Sequence, residues 1–122
     1  MTYTVTRGDF ALTAQTMVLG RDLFVAVTGG AAHIGSLSMA TPRPSLADPA
    51  VTSATASTFC YPGHKDDKVG TRFAEVLSGK LNRKVTVLCG IHFDGLTPQD
   101  IRDITALAEE LLEQVLSGER QP

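Results

Sequence analysis

Polar and apolar positions alternate loosely along the first half of the chain. "YTVTR" and "FALTAQTMVLG" show a partial two-residue period, and "DLFVAVT" is an unbroken β-prone run. "HIGSLSMA" sets Ile34, Leu37 and Met39 against Gly35, Ser36 and Ser38. A two-residue period puts alternate side chains on opposite faces of a strand, whereas a short continuous run fits a buried central strand. Arg7-Gly8-Asp9, Gly20-Arg21-Asp22 and Gly29-Gly30 punctuate these runs as turns. The turns are close enough for hairpins, which predicts a largely antiparallel sheet. "TPRPSLADPA", Thr41 to Ala50, holds three of the six prolines and reads as a loop. "VTSATASTFCY" reads as a further strand with unusually small side chains from Thr52 to Thr58. It is either a solvated edge strand or one against which something flat lies, a ligand or another subunit.

The period changes after Asp66. Val69, Phe73, Val76 and Leu77 fall on one helical face, and Gly79 and Asn82 end that helix. "RKVTVLCG" is another strand. "GLTPQDIRDITALAEELLEQVLSG" then opens with Thr97 as N-cap, Pro98 in the first turn and Asp100 as the reciprocal partner of a capping box. Ile101, Ile104, Leu107, Leu111 and Val115 form its apolar stripe, Gly118 is its expected stop, and "ERQP" is expected to fray. The prediction is an α+β fold. It has a mainly antiparallel sheet of about six strands, two helices on one face, and the order β-β-β-β-β-α-β-α. The other face needs a cover, and a second subunit is the economical one.

Composition narrows the class. The 122 residues make one domain, 1–122, with 43% hydrophobic and 20% charged residues. A net charge of −2 without a basic run argues against a nucleic-acid binder. The start lacks a basic segment followed by an apolar run, and "DLFVAVTGG" is far too short for a bilayer. The expected location is therefore cytoplasmic. Cys60 and Cys89 are then reduced and read as small hydrophobes at strand ends.

The three histidines share one context. His33 in "TGGAAHIG", His64 in "YPGHKDD" and His92 in "CGIHFDG" each sit in a glycine-flanked segment at a strand end. Such segments carry function, and glycine lets backbone amides approach a ligand. Their spacing matches no metal signature, so a metal site would have to be assembled with Asp66, Asp67 or Asp94. No GxSxG, GxGxxG or Walker motif is present. "PGHKDD" runs into a helix, so Asp66 or Asp67 is expected to cap its amides, while Lys65 and the helix start offer an anion grip.

"TGGAAHIG", "PGHKDD" and "GIHFDGLTPQDI", in this order, resemble the small LpdD-like prenylated-flavin chaperones, once described as the D subunit of gallate decarboxylase. The resemblance covers nearly the whole chain. It implies a fold similar to proteasome assembly chaperones and a dimeric state. It also implies binding of prenylated FMN (or FMN), with a role in maturing a prenylated-FMN-dependent decarboxylase of the ubiquinone-pathway type. The flavin prenyltransferase is a further candidate partner. Carried over by motif are His33, Ile34, Gly35 and Ser36, then Gly63, His64, Lys65 and Asp66, then His92 and Asp94, as cofactor-binding positions. No catalytic or metal residue is implied. "HFDG" departs from a family pattern closer to "HIDN", so Gly95 is not carried over. Within this frame the Ser36/Ser38 strand and Thr52–Thr58 would offer a flat surface, Lys65 a phosphate grip, and His33 and His92 hydrogen bonds to the flavin. Two other readings stay open: a small metal- or histidine-dependent enzyme or decarboxylase accessory subunit, and a ligand-free assembly chaperone.

Overall fold

The computed structural model describes residues 1–62 and 66–120. The elements are β1 (Thr2–Arg7), β2 (Phe10–Leu19), β3 (Asp22–Gly30), β4 (Ser36–Pro44), β5 (Thr52–Cys60), α1 (Asp67–Leu81), β6 (Val85–His92) and α2 (Pro98–Glu119). The strands form one sheet in the order β1-β2-β3-β6-β4-β5. Every neighbouring pair is antiparallel except β3–β6, which is parallel. The predicted α+β class and element order hold. α1 lies over β4, β5 and β6, and α2 over β1 and β2.

The two-residue period sets the core. Leu12 and Ala14 of β2, Leu23, Val25 and Val27 of β3, and Val85, Val87 and Cys89 of β6 face the helices. They meet Phe73, Ala74 and Leu77 of α1 and Leu107, Leu111, Leu112 and Val115 of α2. The intervening residues of β3, Phe24, Ala26 and Thr28, are only partly buried, so this run is covered on one face rather than two.

Several expectations are corrected. β3 and β4 form no hairpin, because β6 lies between them. Thr41 to Pro44 belongs to β4 rather than to a loop. β4 leaves β6 after Ala40 and then pairs with β5 alone, where proline's missing donor is tolerated. Within β4 the buried residues are Ser36, Ser38 and Ala40, while Met39 is exposed. The helix explains this inversion. Gly70 of α1 sits directly over the two serines, where an added Cβ would lie 3.0 Å from Ser36 Oγ and 3.1 Å from Ser38 Oγ. Gly79, inside α1 rather than at its end, faces Ser53 and Ala54 of β5 in the same way. The flat object lying against the small edge strand is thus this chain's own helix.

Both helix ends have clear local causes. Asn82 closes α1 in the left-handed region at φ 54°, its N–H bonded to the Ser78 carbonyl. Thr97 and Asp100 complete the capping box of α2 as predicted. Gly118 does not stop α2. It leaves room for the Tyr3 ring, which an added Cβ would overlap. Nor is Glu119 frayed: its buried carboxylate accepts bonds from Tyr3 and Thr16, and Arg83 donates to its carbonyl. Among the described residues no helix is long and apolar enough to cross a membrane.

Candidate functional site

The sheet order creates the site. Because β3 and β6 run in parallel, they finish at the same end of the sheet. The connection from β3 to β4, residues 31–35, must therefore cross β6. It crosses at Gly90, where an added Cβ would overlap the His33 carbonyl. Gly30 turns the chain at φ +64° beside the His92 carbonyl. The crossing is pinned at both ends, by Ala31 N–H to the His92 carbonyl (2.9 Å) and Gly35 N–H to the Cys89 carbonyl (3.0 Å). Gly30, Gly35 and Gly90 thus make room for the chain itself.

Asp66 ties this end together. It is 7% exposed. Its Oδ2 lies 3.1 Å from His33 Nε2, and its Oδ1 accepts the Ile91 N–H at 2.9 Å. Its carbonyl accepts from Ser36 Oγ and from the Gly70 N–H. One residue thereby joins the crossing segment, β6, β4 and the start of α1. Asp66 does occupy the N-cap position, but its side chain caps nothing. The expected bond from an aspartate carboxylate to the helix amides is absent, because that carboxylate is used across the fold. Gly35 is needed here, since a Cβ would overlap Asp66 Oδ2. His33 Nδ1 lies 2.9 Å from the Ala31 carbonyl, which only accepts, so this nitrogen donates.

His92 stands next to this clasp. Its Nε2 is 2.9 Å from Asp94 Oδ1, and its ring centroid is 6.4 Å from that of His33 at 79°. Phe10 and Phe93 stack edge to face at 5.0 Å. The structure therefore brings together His33, Asp66, His92 and Asp94, with Gly35 and Ser36 beneath and Ile34 exposed. Gly63, His64 and Lys65, and with them the proposed phosphate grip, lie outside the described residues. The flat surface expected of Ser36 and Ser38 is not there, because both are fully buried beneath α1.

Among the described residues no group of three or more His, Cys, Asp or Glu could hold a metal ion. Cys89 is fully buried, and burial, then the Asp66 charge, then Cys60 push its thiol up to about 12, which disfavours the thiolate. Sequence reasoning missed Phe59 and Tyr61. They alternate with the half-buried Cys60, stand 61% and 48% exposed, and meet edge to face at 5.1 Å. The Tyr61 N–H donates to the Gly35 carbonyl, which places them beside the crossing segment. Two aromatics two residues apart in a strand were the available signal.

The fold, a single sheet with two helices on one face, is similar to that of a solved chaperone complex. A crystal structure of a chaperone complex for yeast 20S proteasome assembly matches with a TM-score of 0.51 and 11% identity, covering 95% of this chain and 96% of that one. This likeness concerns the fold. The prenylated flavin chaperone LpdD-like domain model matches residues 6–119, and the chain belongs to that family. Protein LpdD of Lactiplantibacillus plantarum is 27% identical over 122 residues, spanning 95% of this chain and 82% of that protein. Membership makes this an accessory, non-catalytic protein and points to a chaperone role for a prenylated-flavin-dependent decarboxylase.

Proposed function

We propose that the protein binds prenylated FMN, or FMN, at the His33–His92 end of the sheet. It stores and delivers this cofactor, and so assists maturation of a prenylated-FMN-dependent decarboxylase. The flavin prenyltransferase is the natural source of the cargo. The observation that carries the reading is the convergence of three sequence-distant segments, around His33, Asp66 and His92, on one end of the fold.

The donor set fits a flavin. The ring's carbonyls and nitrogens and the phosphate are mainly acceptors. The amides of Ala32 and Ile34 on the crossing segment make no bond among the described residues, and the exposed His92 ring stands beside them. Titration with FMN and with prenylated FMN, followed by flavin absorbance and fluorescence, tests the reading. Binding at micromolar concentration is expected, and no binding of either overturns it.

The protein acts as a homodimer through the sheet face away from the helices. Register lines up Met17–Phe24–Thr86–Met39 and Gln15–Ala26–Leu88–Leu37 across its four central strands. None of these side chains is charged, and Met17 and Met39 are each 57% exposed. An uncharged central patch meets its own copy without like-charge repulsion, as a two-fold contact requires. Light scattering is expected to give twice the chain mass, and Met39→Asp to give the monomer. A monomeric parent protein would refute this part.

A further inference from the structure

We infer that Phe59 and Tyr61 form the platform on which the flavin ring system stacks. The inference rests on the flavin-binding reading above. A flavin presents a broad planar face, and burying that face needs apolar or aromatic surface rather than hydrogen bonds alone. The chain has no Trp, so Phe and Tyr must supply it. Phe73 is in the core, Phe10 and Phe93 are partly buried against each other, Tyr3 is bonded to Glu119, and Phe24 lies partly buried in the middle of the sheet. Phe59 and Tyr61 are the two that remain largely exposed.

Their placement fits the task. Cys60 turns inward beside Ser36, so strand alternation turns the Phe59 ring outward, and the Tyr61 ring just past the strand end packs edge to face on it. Their planes meet at 86°, giving two perpendicular walls: a flat ligand stacked on one meets the edge of the other. β5 is the sheet edge, so no further strand lies beyond it. The Tyr61–Gly35 backbone bond leaves the platform about one strand spacing, roughly 5 Å, from the crossing segment and its donors.

The test is binding of FMN and prenylated FMN to Phe59→Leu, Tyr61→Leu and Tyr61→Phe, read by fluorescence quenching and by circular dichroism of the bound flavin. Each leucine variant is expected to weaken binding roughly tenfold and to reduce quenching, while Tyr61→Phe binds like the parent. Parent-like affinity and quenching in both leucine variants overturns the inference and leaves the flavin-binding reading standing. A parent protein that binds neither flavin overturns both. Light scattering on the same variants covers the competing role: loss of the dimer at unchanged flavin affinity assigns the pair to the subunit contact and overturns the inference.

Discussion

Replacing Asp66 by alanine removes the carboxylate that holds His33 and the Ile91 amide together. A hydrogen bond to a charged group contributes about 1.5–3 kcal/mol net, and a buried donor left unpaired costs about 1–3 kcal/mol. The two terms overlap at Ile91, and His33 regains some water, so the expected loss is about 3 kcal/mol. For a domain of this size that corresponds to a drop in Tm of about 10 °C and a clear fall in the urea midpoint at unchanged slope. Asp66→Asn is the informative partner. Its amide oxygen still accepts from Ile91, and its NH2 donates to Nε2 of a neutral His33 whose Nδ1 keeps its proton for Ala31. Only the charge is lost, so about 1 kcal/mol is expected. A double-mutant cycle with His33→Ala should return a coupling of about 1–2 kcal/mol, the usual range for groups in contact. Alanine and asparagine variants of equal stability, or a coupling near zero, would refute the clasp as the joint between these segments.

Gly90→Ala forces a Cβ into the His33 carbonyl and is expected to cost at least about 3 kcal/mol. Gly79→Ala, whose Cβ meets Ser53 at an ordinary 3.4 Å, should be neutral or up to about 1 kcal/mol stabilising; chemical denaturation of the pair checks both. Cys89 should resist a disulfide-exchange reagent at pH 8 in the native protein, so that at most one thiol reacts before urea is added and two after it. Burial first, then the hydrogen bond and charge of Glu119, raise the Tyr3 phenol to about 12. The protonated form is the one favoured by folding, so its contribution is complete below pH 10 and lost as the pH climbs towards 12. Tyr3→Phe should flatten that alkaline limb of the stability curve.

The elements were legible because their signals are local. The capping box of Thr97 and Asp100 and the alternation of Leu12, Ala14, Val25 and Val27 each depend on a few neighbouring residues. Strand order was not legible, since β6 enters between β3 and β4 through contacts 62 residues apart in sequence with β3 and 45 to 53 apart with β4. The burial of Ser36 and Ser38 went against their polarity because the helix above them carries Gly70, and only the fold brings those residues together. Two of the glycine-flanked histidines, His33 and His92, do lie side by side at one end of the sheet. The use of Asp66 could not be read from "PGHKDD", where an aspartate before a helix ordinarily serves as a cap.

The insertion of β6 also dictates an order of assembly. Five strands leave the ribosome before the one that joins them, and until His92 is made β1-β2-β3 and β4-β5 remain separate ribbons. The edges that β3 and β4 will give to β6 are open in that interval, and open edges invite pairing with other chains. The last strand has to be seated between two ribbons already linked by the crossing segment, a long-range step of the kind that slows folding. A member of a chaperone family is thus one whose own sheet closes late, and conditions that slow synthesis of residues 85–92 would lengthen the time in which it is prone to aggregate.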